Sequence, residues 1–517
     1  MNPINLTFIA KILGQLLLLL SIAMVMGLVW ALGEKYIASN FIISHNHVIN
    51  AFVATIAIGL FLGLTLKYIG RKSETYLGRR EALLLVSLTW FIGAGISALP
   101  FWLWALQHDF PLGADPAFKS YVNCYFEAMS GLTTTGSTIL SQVESIPNGL
   151  LLWRAFTHWL GGLGIVVIFV ALLPGIAGGT KQLYHVEASG LGGGNQASIR
   201  ETARWLVVIY LLFTILELVL LKFADPQMSW FDNLVHTFAT LSSGGFSSYN
   251  ASVGALSPAV QWVISLFMLI AGVNFGLYHS LFKGQFSSVF KNSELLLYLA
   301  ITVTAFFCIL ITIWDTQYQT TMGVESTLDP FDRIRDSFFQ TLSIQTGTGF
   351  ATVNFDQWGN STKAILVFLM LIGGCGGSTC GGIKVIRLLS VGKIIGLELE
   401  KSYRPHVLRP IRIGGHILND SQRIAVLSYI TVIFILTGLV SMLLLLIESN
   451  LDATTALTAS LASICNVGPG LAGVGAIENY GWFSASSKTL LCILMALGRL
   501  EVFAVAVIFL PKFWRGK

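Results

Sequence analysis

Four short glycine-containing phrases recur along the chain at nearly constant spacing. Each one follows a short amphipathic stretch and interrupts sequence that otherwise consists of long apolar runs. The phrases are LTTTGS (132–137), LSSGGF (241–246), QTGTGF (345–350) and CNVGPG (465–470). Aligning them on the glycine before Ser, Phe, Phe or Pro selects Gly136, Gly245, Gly349 and Gly468, which are 109, 104 and 119 residues apart. Self-similarity at a fixed period indicates repeated structure, and it constrains the fold more than any single motif.

The sequence around these phrases is too apolar for a water-soluble domain. Hydrophobic residues make up 54% of the 517-residue chain, charged residues make up 11%, and the mean hydropathy is +0.73. Soluble domains carry about 25% charged residues. A transmembrane helix needs about 20 apolar residues, and the predicted spans are 12–32, 48–66, 82–106, 152–173, 203–221, 259–282, 295–314, 364–395, 424–447 and 487–511. The first run is too long for the core of a signal peptide and is predicted to be retained.

The basic residues orient these ten predicted spans. They cluster after the second, eighth and tenth spans, whereas the loop after the first span contains only Lys35. The clusters comprise Lys67, Arg71, Lys72, Arg79 and Arg80, then Lys401, Arg404, Arg409, Arg412 and Arg423, then Lys512, Arg515 and Lys517. Because basic loops remain in the cytoplasm, we expect both termini to be cytoplasmic. The even number of spans agrees, since it returns the chain to its starting side.

The stretches before the glycine phrases predict helices too short to cross the bilayer. Segments 229–241, 329–343 and 450–463 each begin near an aspartate, which is a good N-cap residue. Non-helical backbone at membrane depth leaves carbonyls unpaired, at several kcal/mol each, unless it lines a wet cavity. Four such segments can share one cavity by converging on one axis. We therefore predict an all-α integral membrane protein with four pseudo-symmetric helix–pore-helix–helix repeats around one pore, preceded by two extra transmembrane helices.

The repeat spacing also divides the chain. The predicted divisions are two N-terminal transmembrane helices (1–70), repeat 1 (71–180), repeat 2 (181–290), repeat 3 with a glycine-rich gating loop (291–400) and repeat 4 (401–517). We expect each half-helix to enter from the outer side, so that its C-terminal end, where the dipole favours a cation, points at the centre. Rings of backbone carbonyls replace the water shell of the ion in potassium filters. The phrases are thus predicted to form a cation filter, and the alternative is that each is a plain loop between helices.

The phrases and the repeated unit resemble the Trk/Ktr/HKT superfamily of potassium transporters, and most closely its TrkH-type subunits. The two extra N-terminal helices and the segments 158–175, 373–389 and 466–475 carry the same resemblance, which covers essentially the whole chain. It implies that potassium binds to filter carbonyls in Thr134, Thr135, Gly136, Ser243, Gly244, Gly245, Gly347, Thr348, Gly349, Asn466, Val467 and Gly468. Members with serine in place of the first glycine tend to admit sodium, so the four glycines favour potassium. The third phrase departs from the pattern, with Gly347 where threonine is expected.

The segment GGCGGSTCGGIK (373–384) interrupts the eighth predicted span and predicts a loop just below the filter. Its glycines, each of which costs about 1 kcal/mol in a helix relative to alanine, are Gly373, Gly374, Gly376, Gly377, Gly381 and Gly382. The resemblance implies a gating role for this loop, together with Arg499 in the last span, whose expected partners are the loop carbonyls or Glu501. The alternatives are a glycine hinge for packing and a structural salt bridge. Lys384 and Arg387 are expected to be interfacial, snorkelling residues.

Other polar residues in the apolar segments are weaker candidates. His158, His236 and His279 are expected to be polar packing groups rather than a proton relay. Glu127 and Glu217 are candidate intramembrane acids. Five acids are expected near the outer mouth, where they would concentrate cations or cap helices: Asp232, Asp332, Asp336, Asp356 and Glu478. The six cysteines indicate neither a disulfide framework nor a zinc site.

These observations predict potassium uptake across the cytoplasmic (inner) membrane of a bacterium. No HExxH, GxSxG or paired catalytic constellation indicates an enzyme. The alternatives are a sodium-permeable member of the same superfamily and a secondary transporter for another small solute. Potassium is the expected substrate, and no organic cofactor or nucleic acid is expected to bind. The resemblance implies a homodimer that docks a cytoplasmic TrkA-like nucleotide-binding subunit, while symport with protons or sodium and channel-like flux both stay open.

Overall fold

The computed structural model describes residues 4–37, 43–73, 78–110, 116–171, 196–325, 329–414 and 416–514. Arg515, Lys517 and the predicted boundary between repeats 1 and 2 at 180/181 lie outside these ranges. The described chain is almost entirely helical, and its named strands β1 (Arg412–Ile413) and β2 (His416–Ile417) form a small antiparallel hairpin. The prediction of an all-α membrane protein is confirmed.

Two spans precede the repeats. The first consists of α1 (Leu6–Ala23) and α2 (Val25–Ile37), and the second is α3 (Ile43–Ile69). Helices α1 and α3 pack closely because small residues face each other. A Cβ atom added to Gly14 would lie 2.6 Å from the carbonyl oxygen of Gly63. Close backbone approach at small residues is typical of packing between membrane helices.

Each of the four repeats consists of an outer helix, a short pore helix and an inner helical segment that is broken in three of the repeats. The first two repeats contain α4 (Arg79–Gln107), α5 (Tyr121–Leu132) and α6 (Asn148–Ala171), then α7 (Gln196–Ala224), α8 (Trp230–Leu241), α9 (Pro258–Ala271) and α10 (Phe275–Phe282), followed by the connecting helix α11 (Phe286–Phe290). The last two contain α12 (Ser293–Ile313), α13 (Pro330–Gln345), α14 (Asn360–Leu371) and α15 (Val385–Tyr403), then α16 (Asp420–Ile447), α17 (Ala453–Cys465), α18 (Ala485–Arg499), α19 (Val502–Ala506) and α20 (Pro511–Trp514). Single 3-10 turns lie at Ala117–Lys119, Val143–Ser145, Ser252–Ala255, Phe355–Gln357, Ala472–Val474 and Val507–Phe509.

Within the described residues, six helical segments are long and apolar enough to span a bilayer: Leu6–Lys35, Asn46–Ile69, Arg80–Gln107, Arg204–Ala224, Ser293–Ile313 and Asp420–Ile447. Helices α9 and α10 also qualify as a pair, but they are bent by 91°. The expectation of a continuous helix over 259–282 is therefore wrong, because α9 ends at Ala271 and the Asn274 side chain caps a new helix by accepting a hydrogen bond from Gly276 N at 2.8 Å.

The pore helices α5, α8, α13 and α17 contain between 12 and 16 residues. At 1.5 Å per residue they are about 18–24 Å long, which is shorter than the hydrocarbon core of about 30 Å. Asp329 and Asp452 cap α13 and α17 as expected, whereas Ser229, rather than an aspartate, caps α8. The last turn of every pore helix is buried, so the four helices form the interior around which the long helices pack.

Candidate functional site

The four glycine phrases meet in a closed ring. We call the residue just before each aligned glycine the middle residue of its phrase. At every junction, the carbonyl oxygen of the middle residue of one phrase lies against the aligned glycine of the neighbouring phrase. A Cβ atom added to these glycines would therefore overlap backbone, at distances of 2.2 Å (Gly136 to Gly244 O), 1.9 Å (Gly245 to Thr348 O), 2.1 Å (Gly349 to Val467 O) and 2.6 Å (Gly468 to Thr135 O). The contacts run from phrase 1 through phrases 2, 3 and 4 and back to phrase 1.

The four phrases also share one backbone conformation. In each, the aligned glycine and the residue two positions before it have positive φ: Thr134 (50°) and Gly136 (84°), Ser243 (56°) and Gly245 (83°), Gly347 (72°) and Gly349 (76°), Asn466 (52°) and Gly468 (96°). This left-handed region costs an L-residue roughly 1–2 kcal/mol and costs glycine almost nothing. Glycine at position 347, where threonine was expected, therefore suits the shared backbone conformation, because it relieves a strain that the other three phrases retain.

Backbone amides anchor the phrases to their own pore helices. Thr135 N donates to Ser130 O at 2.9 Å, and Val467 N donates to Ala462 O at 2.9 Å. Side chains tie neighbouring phrases together, since Asn466 Nδ2 donates to Thr135 Oγ1 at 2.9 Å. Among the described residues, no donor is hydrogen-bonded to the carbonyl oxygens of the middle residues, which are Thr135, Gly244, Thr348 and Val467. Buried carbonyls normally have a partner, so this ring can accept a cation.

A cavity of about 120 Å³ opens at the ring, and all four aligned glycines line it. Glu478 also lines this cavity. The other predicted mouth acids are engaged within the protein. Asp232 accepts hydrogen bonds from Ser248 and Tyr249, Asp356 from Ala472 N, and Asp336 from Tyr318, while Asp332 pairs with Arg335. Burial raises the pKa of the Asp356 carboxyl, and the hydrogen bond from Ala472 opposes this effect.

A buried ion pair that sequence analysis did not identify supports phrases 1 and 2. Arg154 Nε contacts Glu127 Oε1 at 2.6 Å, and Arg154 Nη1 donates to Ser247 O at 3.1 Å. Glu127 also accepts hydrogen bonds from Thr138 Oγ1 and from Ile139 N, just after phrase 1. The pair thus joins the segments that follow two phrases. The sequence did contain a signal for this ion pair, because Arg154 is a basic residue within the apolar run of the fourth predicted span.

The histidines make internal contacts, as expected of packing groups. His158 Nδ1 lies 2.7 Å from Gly131 O, and His236 lies between Asp232 O and the Ser247 hydroxyl. The ring of His279 packs beside Trp205. Glu217 is fully buried in α7.

The predicted glycine-rich loop links α14 to α15 and lies against three of the phrases. Its ends are held together by Gly373 N donating to Ile383 O at 3.0 Å, and by Ile383 N donating to Leu371 O at 2.9 Å. The Thr379 hydroxyl contacts Leu241 O and the Ser243 hydroxyl, each at 3.0 Å.

Five of the six loop glycines are packed too tightly for side chains or have left-handed backbone. Added Cβ atoms would lie 2.1 Å from Cys465 O at Gly381, 2.7 Å from Gly272 O at Gly374 and 1.8 Å from Gly381 O at Gly373. Gly377 and Gly382 have φ of +71° and +70°. A Cβ on Gly347 would lie 3.6 Å from Gly381 N, which places the loop beside phrase 3 as well as phrases 2 and 4.

Arg499 holds the loop from repeat 4. Its Nη1 donates to Thr379 O at 2.7 Å and its Nη2 to Gly161 O at 3.4 Å, while its side chain is only 4% exposed. Of the two expected partners, the loop carbonyl is the one observed. The continuous helix predicted over 487–511 is wrong: Arg499 is the last residue of α18, and the chain turns at Glu501, where φ is +57°.

The expectation of an interfacial side chain is wrong for Arg387, which is buried, whereas Lys384 is half-buried. Lys384 Nζ donates to Cys380 O within the loop, and Arg387, 4% exposed, contacts Glu501 at 2.6 Å. Both side chains turn inward because the broken helix leaves carbonyls and a carboxylate to be satisfied there. Sequence analysis also missed Glu294, whose Oε1 accepts hydrogen bonds from Gly376 N at 2.6 Å and Ile386 N at 3.2 Å. Its only signal was an acid at the start of an apolar span.

In the part of the chain that the structure describes, no group of three or more His, Cys, Asp or Glu side chains could hold a metal ion. The backbone oxygens of the ring are the candidate cation ligands. Such oxygens suit weakly hydrated alkali metal ions, as in potassium filters.

Comparisons with known proteins agree with this geometry. Residues 47–515 match the family model TrkH, described as a cation transport protein. The chain is 34% identical over 470 residues to the Trk system potassium uptake protein TrkH of Escherichia coli K12, covering 90% of this chain and 92% of that protein. It is 32% identical over 521 residues to the TrkH protein of Halomonas elongata, covering 99% and 100%. The crystal structure of the potassium transporter TrkH from Vibrio parahaemolyticus superposes with a TM-score of 0.82, at 29% identity, covering 99% and 100% of the two chains.

Proposed function

This chain belongs to the TrkH family of cation transport proteins, and from that premise we propose that it takes up potassium across the cytoplasmic membrane of a bacterium. The curated relatives are potassium uptake proteins of Trk systems. Transport rather than catalysis is the proposed activity, with potassium as the transported substrate and no organic cofactor in this chain.

The observation that carries the proposal is the ring of unpaired carbonyl oxygens. A potassium ion entering a protein must exchange its water shell for other oxygens, and a ring of carbonyls supplies them from several sides at once. We propose that the ligands come from the twelve residues of the aligned phrases: Thr134, Thr135, Gly136, Ser243, Gly244, Gly245, Gly347, Thr348, Gly349, Asn466, Val467 and Gly468. The absence of a side chain at each aligned glycine keeps space open at the centre of the ring.

The loop over 373–384 is the proposed gate. It contacts phrases 2, 3 and 4 from one side, and the buried Arg499 guanidinium joins its Thr379 carbonyl to the inner helix of repeat 1. A buried charge is costly to leave without partners. Arg499 therefore stabilises the loop in this position, and an ion passes only when the loop moves.

The wider organisation of the protein also remains a proposal. Both termini lie in the cytoplasm, the divisions at 70/71, 180/181, 290/291 and 400/401 separate the N-terminal helices and the four repeats, and two copies form a homodimer. The basic segments 67–80 and 401–423 face a cytoplasmic TrkA-like regulatory subunit. Coupling to protons or sodium is a separate property that the ring does not determine.

Rubidium uptake into liposomes that contain the purified chain tests the function. We expect uptake that excess potassium inhibits and that equal sodium does not, with empty liposomes as the control. Inhibition by both ions would assign the chain to the sodium-permeable members of the superfamily, and absence of cation flux would favour transport of another solute. Repeating the assay with an imposed pH gradient distinguishes proton symport from uncoupled flux.

A further inference from the structure

An apolar groove lies on the outside of repeat 3, between α12, α14 and α15. Its volume is about 460 Å³, within the range of roughly 300–1,000 Å³ typical of ligand sites. The groove is lined by Leu297, Ile301, Phe368, Ile372, Leu388, Leu389, Val391, Gly392, Lys393 and Ile395. Lys393 is the single charged residue among these, so the groove has an apolar length and one cationic end.

The position of the groove along α12 places it in one leaflet of the bilayer. Leu297 and Ile301 lie four and eight residues after Ser293, where α12 begins. At 1.5 Å per residue these side chains are about 6 and 12 Å from that end of the span. Phe368 and Ile395 on the groove wall are 55% and 52% exposed, which is the exposure expected of residues that face hydrocarbon. Water cannot fill an apolar groove at this depth without losing hydrogen bonds.

The charged end of the groove carries Lys393, and the residue Arg412 lies beside it. Lys393 Nζ donates to the backbone oxygen of Arg412 at 2.6 Å, so the β1–β2 hairpin lies beside it. Both the Lys393 and Arg412 residues are exposed. Basic residues at the end of a pocket between membrane helices attract the phosphate of an anionic lipid headgroup. The apolar length and the basic end therefore match the two parts of one molecule.

We propose that the groove binds an anionic phospholipid, with an acyl chain along Leu297, Ile301 and Phe368 and the headgroup phosphate at Lys393 and Arg412. This site goes beyond the proposed function, since neither the carbonyl ring nor the loop requires it. It does border the loop, because Ile372 lines the groove and also forms the bridge with Ile383 at the base of the loop. A bound lipid would support the broken helix from the membrane side.

Two glycines of α15 allow a matched test. A Cβ atom added to Gly392, which lines the groove, or to Gly396, which does not, would meet no atom within 4 Å. Gly392→Leu adds a side chain at the wall of the groove from an unobstructed Cβ position, and Gly396→Leu adds the same side chain to the same helix at a residue that does not line the groove. Leucine is also a better helix former than glycine, so both variants are expected to fold.

The full-length chain in liposomes containing a phosphatidylglycerol with a photoreactive acyl chain provides the readout. Crosslinked peptides, mapped by mass spectrometry, are expected to include 297–301 and 388–395 in the wild type and in Gly396→Leu, and to lose most of this labelling in Gly392→Leu. Lys393→Gln should reduce the preference for phosphatidylglycerol over phosphatidylcholine by about fivefold, the effect of one basic residue near a membrane surface.

Equal labelling of Gly392→Leu and the wild type would overturn the proposal. So would a crosslink from the groove to a second copy of the chain in place of the lipid, because that result would make the groove a subunit interface. Rubidium uptake measured on the same liposomes keeps this test separate from the proposed function, since lipid labelling does not depend on transport.

Discussion

The glycine ring and the loop beneath it are both irregular backbone buried within the protein, but they are held in different ways. Each phrase of the ring bonds to its own pore helix, as Thr135 does to Ser130, and meets the next phrase backbone against backbone. The loop has backbone hydrogen bonds at its base and to the turn between α9 and α10, where Cys375 N donates to Gly272 O, but it is also held by charged side chains from other elements. Arg499 reaches it from 120 residues away and Glu294 from 82 residues away.

This difference separates a rigid element from one that can be released. Contacts between backbone atoms in a closed ring cannot be lost one at a time without displacing the neighbouring phrase. A hydrogen bond to a charged side chain contributes about 1.5–3 kcal/mol, so losing the Arg499 and Glu294 contacts weakens the attachment of the loop without displacing the ring. The ring therefore suits selection of an ion, and the loop suits control of its passage.

The largest effect is expected from a side chain placed in the ring. Gly245→Ala puts a Cβ 1.9 Å from Thr348 O at a residue with φ of +83°. Left-handed strain costs roughly 1–2 kcal/mol, and the overlap must also displace a proposed potassium ligand. We expect rubidium uptake to fall by far more than about tenfold.

Gly323→Ala is the matched control for this substitution. Gly323 has a similar φ of +75°, but an added Cβ meets no atom within 4 Å. It carries the same conformational strain without the overlap, so uptake is expected to stay close to that of the wild type. Equal losses in the two variants would mean that strain, rather than the closed ring, explains the effect.

A smaller effect is expected at the loop, and in the opposite direction. Arg499→Ala removes the bonds to Thr379 O and Gly161 O. Losing about 1.5–3 kcal/mol should shift the loop towards the open position by roughly 10- to 150-fold. We expect a raised basal rubidium leak in liposomes, with Arg499→Lys intermediate because it keeps the charge but not the forked geometry. Unchanged leak in Arg499→Ala would remove this residue from the gate.

The sequence predicted those parts of the fold that depend on local pattern. Apolar length identified six of the ten predicted spans as long apolar helices, and the spacing of the phrases identified four repeats, because a repeated unit folds in the same way each time. The helix caps at Asp329 and Asp452 could also be predicted, because an aspartate before a helical stretch is a local pattern. The bend of 91° between α9 and α10 was missed although Asn274, which caps the second helix, lies in the sequence GVN.

Partners distant in sequence could not be predicted. Glu127 and Arg154 are 27 residues apart, and Arg387 and Glu501 are 114 residues apart. Apolar periodicity does not specify which charges will meet once the helices pack. Glu501 pairs with Arg387, and Arg499 bonds carbonyl oxygens instead. The partners of Arg499, a residue that the sequence did single out, therefore also depend on tertiary structure. The roles of the ring and the loop stay predictions.

The smallest effect is expected where ring and loop touch. Gly347 is the third-phrase counterpart of Thr134, Ser243 and Asn466, which all have left-handed backbone. Gly347→Ser should therefore be tolerated at a cost of roughly 1–2 kcal/mol. Its Cβ would lie 3.0 Å from Asn466 O and 3.6 Å from Gly381 N, which requires only a small adjustment.

We expect rubidium uptake by Gly347→Ser to fall by no more than about tenfold, well short of the loss in Gly245→Ala, with basal leak unchanged. A loss as severe as that of Gly245→Ala would mean that the third phrase tolerates an added side chain no better than the second phrase does. A raised leak would instead mean that the contact between Gly347 and Gly381 helps to hold the loop. The loop would then depend on the backbone of the ring as well as on the side chains of Arg499 and Glu294, and the two regions would move as one unit.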